Sequence, residues 1–200
     1  VVAVLRNLLP FGIALISSAV LYANPAEAAV FVVDSAANSS SGGTGLSTFA
    51  VAAGQKIRVS SSTDDLWSLG ALPRFSDGDG LVGNRFATAL DDSGQTVGTL
   101  IGQSFGLHSQ NGLNAAYGAL VGEIGGVYRV LGANGVTAAW GTGTLSLYNW
   151  DSNSGDNEGS ISFDISIVPE PATWALLVLG FGLVGAGLRS RRPRIASTSN

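Results

Sequence analysis

The sequence predicts an all-β domain, a β-sandwich, set between two apolar terminal segments. Three observations predict it. Short stretches alternate apolar with polar residues, most plainly Ile161-Ser162-Phe163-Asp164-Ile165-Ser166-Ile167, so that one face is buried and the other wetted. Turn residues such as Asn134-Gly135 and Gly125-Gly126 interrupt these stretches at the spacing of a sandwich. Glycine supplies 23 of the 140 residues from Ala29 to Val168, a density that disfavours long helices.

Taken in order, residues 1–28 read as a signal-peptide helix. Arg6 gives a positive start, Leu8 to Tyr22 is uncharged and apolar, and Ala26-Glu27-Ala28 is the small-x-small pattern signal peptidase cuts. A first membrane helix is the alternative, but the run is short and Pro25 follows it. The mature chain is expected to begin near Ala29 or Val30. Val1 stands where a methionine is usual, which fits a GTG start codon or a truncation.

The exported domain spans 29–168. Its expected strands are Val30–Asp34, Gln55–Ser60, Thr96–Ile101, Tyr117–Ile124, Val127–Leu131, Gly143–Tyr148 and Ser160–Val168. Asn111–Leu120 carries a weak helical pattern, Ser35–Thr48 reads as a loose Ser/Gly loop, and Asp91–Gln95 as a tight exposed turn. Twelve acids against five bases leave this stretch near −7, which argues against nucleic acid as a partner. Cysteine is absent, so neither a disulfide framework nor thiolate chemistry is available.

Residues 169–194 form a third segment, followed by a short tail, 195–200. Pro169 and Pro171 hold Glu170 on a stiff, extended stretch, and Trp174 sits where an indole favours the headgroup layer. A transmembrane helix is expected over 172–188; its uncharged part, Ala175 to Leu188, would span about 21 Å. Arg189, Arg191 and Arg192 then place the C-terminus in the cytoplasm and the domain outside.

The combination of Pro169-Glu170-Pro171, Trp174-Ala175, Gly180-Phe181-Gly182 and the arginine cluster resembles a PEP-CTERM sorting signal. The resemblance implies recognition and cleavage by an exosortase after a transient stay in the inner membrane. It further implies delivery to the cell surface or an exopolysaccharide matrix. An ordinary stop-transfer anchor is the plainer alternative.

Between two alternating stretches lies Asn149 to Ser160, rich in Asp, Asn and Gly. Asp151, Asp156 and Asn157 offer hard oxygen donors of the kind calcium takes, although a solvated hairpin loop has the same composition. The runs Gly118–Gly125, Gly143–Leu147 and Asp156–Ser160 resemble the PA-I-type calcium-dependent galactophilic lectins. That resemblance implies a jelly-roll sandwich related to galactose-binding-domain folds. It implies side-chain calcium ligands at Asp151, Asp156 and Asn157, the carbonyl of Asn153, and a carbonyl near Leu69. A bound carbohydrate would complete the coordination. The lectins' contact His and Gln are missing from Phe75–Gly80, so galactose specificity is not carried over.

Asp77-Gly78-Asp79-Gly80 reads as an acidic turn rather than an EF-hand, since Thr88 stands where the twelfth-position glutamate belongs. His108 is the sole histidine and lacks a nucleophile motif. Asp64 and Asp65 are adjacent, so on a strand they would face opposite ways and could not flank one glycosidic bond. Trp67, Trp140 and Trp150 read as core, with Trp150 singled out as a sugar contact beside the ion loop. The expectation is a non-enzymatic surface or matrix protein with a calcium-binding, lectin-like domain. A ligand-free structural biofilm component and, remotely, an extracellular glycosidase are the alternatives.

Overall fold

The computed structural model describes residues 28–168, 178–183, 185 and 189. Fourteen strands make up the described domain. In chain order they are β1 (Ala28–Asp34), β2 (Leu46–Val51), β3 (Lys56–Ser60), β4 (Trp67–Ser68), β5 (Phe75–Ser76), β6 (Arg85–Phe86) and β7 (Leu100–Gly102). They continue with β8 (Leu107–Gln110), β9 (Leu113–Ala116), β10 (Leu120–Ile124), β11 (Val127–Val130), β12 (Asn134–Ala138), β13 (Gly143–Asn149) and β14 (Glu158–Val168). Two sheets carry the architecture. One runs β12-β3-β14-β4-β5 with β1 also on β14; the other runs β11-β10-β13-β2.

The long strand β14 organises the first sheet. Its alternation puts Ile161, Phe163, Ile165 and Ile167 inside and leaves Ser162 and Asp164 in water. Strand β1 pairs with it from Ala28↔Ser166 to Asp34↔Ser160, and β3 pairs with its end from Asp164↔Ser60 to Val168↔Lys56. Across the gap, Leu120 and Ile124 of β10, Leu145 and Leu147 of β13 and Val51 of β2 close one continuous core with these rows. Phe163 is fully buried and Trp67 leans on its ring at 5.8 Å. Truncating such a side chain to alanine costs about 3–5 kcal/mol.

Several expected elements take another form, each for a local reason. Asn134-Gly135 is the start of β12 rather than a turn, because Asn134–Ala138 finds a partner in β3. Asn111–Leu120 is not helical: Asn111 (φ 48°) and Gly112 (φ 79°) take the left-handed conformations of a tight turn joining β8 to β9. The strand expected from Tyr117 begins only at Leu120, since Gly118 has φ 76° and its carbonyl accepts the Trp67 indole N–H. Of Thr96–Ile101 only the end is strand. Ser35–Thr48 is no loose loop: Asp34 Oδ1 accepts the amides of Ala36 and Ala37, Asn38 Oδ1 accepts that of Asp34, and β2 begins at Leu46.

The signal-peptide segment up to residue 27 lies outside the described residues, as do Pro169, Glu170, Pro171, Trp174, Arg191 and Arg192. Much of the helix expected over 172–188 does too; residues 178–183, 185 and 189 are helical, with Val178, Leu179, Phe181 and Leu183 exposed. Among the described residues no helix is long and apolar enough to cross a membrane.

Candidate functional site

The site is built where β13 hands the chain to β14. Asn149 ends β13 fully buried, Trp150 follows with its indole N–H donated to the His108 carbonyl at 2.9 Å, and Asp151 turns the chain outward. A single 3-10 turn, Ser154–Asp156, then leads into β14. Asn153 caps that turn: its Oδ1 accepts the Gly155 amide at 3.1 Å and its Nδ2 donates to Asp156 Oδ1 at 2.8 Å. Its own amide donates to Asp151 Oδ2 at 3.3 Å. Asn153 therefore stands between the two carboxylates.

Asp151 is 5% exposed, an unusual position for a carboxylate with no basic partner among the described residues. Burial pushes its pKa upward and the nearby Asp156 charge adds to the push. Hydrogen bonds from the Ser152 and Asn153 amides and the Asn157 side chain pull the other way. Asn157, 8% exposed, donates from Nδ2 to the Ser35 carbonyl at 2.9 Å, and Asn149 donates to the same carbonyl at 3.1 Å. Both buried amides are left with an Oδ1 that accepts nothing. An unpartnered buried oxygen costs about 1–3 kcal/mol, so each of these two amides, which share the Ser35 carbonyl, marks a place where a donor or cation would be stabilised.

The fifth expected residue comes from a segment distant in sequence but paired with the start of β14, where Ser68 lies opposite Glu158. After β4 the chain passes Leu69 and turns at Gly70, whose φ is 117°. A Cβ at Gly70 would lie 2.8 Å from Asp156 Oδ2, so only glycine permits this approach. The Leu69 amide donates to Arg74 O at 3.0 Å, while among the described residues no hydrogen bond ends on the Leu69 carbonyl. Leu69, Asp151, Asn153, Asp156 and Asn157 thus meet at one pole of the sandwich.

A metal would have to be held there by two carboxylates supplemented by amide and main-chain oxygens. Among the described residues no group of three or more His, Cys, Asp or Glu is placed to hold an ion. An all-oxygen, low-charge donor set suits calcium better than a transition metal.

Two features of this pole were not foreseen from sequence. The buried serines Ser35 and Ser39 line its floor, and Ser40 Oγ clamps Asp151 by donating to its carbonyl at 2.9 Å while accepting its amide at 3.0 Å. Asn149 supplies the second orphan amide. The only hint in sequence was a run of small polar residues, which reads equally well as a linker.

Trp150 requires a correction. Its ring is fully buried against His108 and Tyr128, so no face remains for a sugar and its part is to support the loop from beneath. His108 lies on β8, bonds Gln110 Oε1 at 3.0 Å and stacks between Tyr117 and Trp150, a packing role. Asp77 is buried and ion-paired to Arg85, and Asp79 accepts the Ala133 amide at 2.8 Å, so this acidic turn is committed to structure. Asp65 accepts the Ser162 amide at 2.8 Å, and the Asp64–Asp65 pair lies in a turn rather than a strand.

Comparison with known proteins gives a class for the C-terminal segment. The model of the PEP-CTERM protein-sorting motif matches residues 168–192. The chain therefore carries a PEP-CTERM sorting motif, which marks an exported protein destined for the surface or beyond. No curated protein matches the chain. Among solved structures, the "EclA N-terminal domain; PllA-like lectin" is similar at 23% identity, over 70% of this chain and 95% of that one, with a TM-score of 0.40. A likeness of that extent does not assign a ligand.

Proposed function

We propose that this chain is a calcium-binding, carbohydrate-recognising surface module rather than an enzyme, carried to its place by the PEP-CTERM motif. The observation that carries the ligand part is the pole just described. Oxygen donors from Leu69, Asp151, Asn153, Asp156 and Asn157 gather beside a buried carboxylate that has no cation against it among the described residues and beside two buried amide oxygens, of Asn149 and Asn157, that accept no hydrogen bond. Calcium would supply the missing positive charge, and would offer remaining coordination positions to the hydroxyls of a sugar.

For delivery, signal peptidase removes residues 1–28, and the segment 172–188 holds the domain at the inner membrane with its arginines in the cytoplasm. An exosortase then acts near Pro169-Glu170-Pro171 and passes the domain to the surface or the exopolysaccharide matrix. The motif match supports the sorting part of this reading.

Thermal melting in calcium and in chelator tests the ion. A ligand that binds only the folded state stabilises it by about 2.7 kcal/mol at a hundred times its Kd, so calcium should raise the melting temperature by several degrees. Coincident melting curves would favour the ligand-free structural component. Turnover of polysaccharide by the protein would favour a glycosidase.

A further inference from the structure

Beside the ion pole lies a second feature, which the calcium reading does not use. A cleft of about 240 Å³ opens between the Leu72-Pro73-Arg74 turn and the Gln103-Ser104-Phe105 segment. Arg74 is rooted firmly: its carbonyl accepts the Leu69 amide, and its backbone bridges Gly102. Its guanidinium lies 3.9 Å over the ring of Phe105, which is braced edge-on by Tyr117 at 5.1 Å. Among the described residues Arg74 has no carboxylate partner and its guanidinium makes no hydrogen bond, in a domain whose acids greatly outnumber its bases.

Stacking holds a guanidinium by its face and leaves the N–H groups around its edge free to meet a planar anion with two parallel bonds. A carboxylate matches that fork. The walls suit a sugar ring: Phe105, 48% exposed, and Leu72, 45% exposed, offer apolar surface to ring C–H groups, while Gln103 and Ser104 offer polar groups to hydroxyls. The cleft also adjoins the ion pole. A Cβ at Gly70 would lie 2.8 Å from the Asp156 carboxylate and 3.9 Å from Arg74 Cδ, so both flank the same glycine.

We propose that the Arg74–Phe105 cleft is a subsite for the carboxylate of a uronic acid, in a saccharide chain whose neighbouring residue sits at the ion pole. The proposal rests on the carbohydrate reading above and adds its substrate class: an acidic rather than a neutral polysaccharide.

The test compares a hyaluronan octasaccharide with its carboxyl-reduced, neutral counterpart by calorimetry on the full-length protein in calcium. The wild type should prefer the carboxylated chain by about tenfold, the scale of one charge-assisted bidentate contact. Arg74→Gln should bind the two chains equally, Arg74→Lys should keep part of the preference, and Phe105→Ala should lose it by releasing the stacked guanidinium. Equal binding of both chains by the wild type, binding of neither, or a preference intact in a folded Arg74→Gln protein would overturn the proposal. Calcium titration of the same samples keeps the two readings apart. Normal calcium binding without discrimination between the chains removes the subsite alone. An Arg74-dependent preference in a protein that binds no calcium removes the ion reading and leaves the subsite standing.

Discussion

The two ends of β14 are built on opposite principles. At one end Ala28 of β1 pairs with Ser166 and Val168 pairs with Lys56, so residues 28 and 168, the two ends of the described domain, lie at the same pole. There the ladder is regular and the exposed side chains are ordinary surface. At the other end, ten residues or about 33 Å away along the strand, polar groups go under. Six of the nine buried polar side chains among the described residues, Ser35, Ser39, Ser68, Asn149, Asp151 and Asn157, collect there. The first pole holds the chain ends of the domain, and the second holds buried polar groups without full partners. The lesson is one of division: the alternating core between them supplies the stability that lets the far pole keep unpaired oxygens and a buried carboxylate.

The sharpest way to break this contrast is to damage one pole and watch the other. Glu170→Ala should abolish processing, leaving the protein in the membrane fraction at its unprocessed size, while purified protein melts and binds ligands as the parent does. Release of the variant at the normal rate would show that the motif does not act as an address.

The next largest effect falls on the binding pole. Gly70→Ala places a side chain at φ 117° and 2.8 Å from Asp156 Oδ2. It should cost about 2 kcal/mol of stability, seen in chemical denaturation, and should weaken calcium binding without affecting sorting.

A smaller effect comes from pH. The Asp151 pKa is raised above its ordinary 3.8, chiefly by burial. In ion-free protein its stabilising contribution is therefore complete below that ordinary value and is lost as pH rises through the raised one. Asp151→Asn should flatten this part of the pH–stability profile and stabilise the ion-free protein near neutrality, yet abolish the calcium response. An unchanged profile would mean that the carboxylate is better solvated than its burial suggests.

Much of the connecting scaffold was legible in sequence, because a period of two is visible wherever one face is buried and the other wet. Ile161 to Ile167 shows this in β14, and β3, β10, β11 and β13 lie close to where their patterns placed them. Asn134-Gly135 and Asn111–Leu120 misled because local turn and helix signals yield to a partner strand, or to two adjacent residues with positive φ. At the binding pole the residues Asp151, Asp156 and Asn157 could be singled out by type, but their enclosure could not. It depends on Ser35, Ser39 and Gly70, brought in from turns and bends far away in sequence, and a run of serines and glycines carries no periodicity to announce that it will be buried. Trp150, expected as a sugar contact, is fully enclosed for the same reason: its neighbours His108 and Tyr128 come from other hairpins.

The claim that the far pole is an ion site is tested most directly by calorimetric titration of calcium into the wild-type protein and the Asp151→Ala/Asp156→Ala variant. One saturable site is expected in the wild type and no heat of binding in a variant that remains folded. Equal calcium affinity in the two proteins, or none in either, would contradict it.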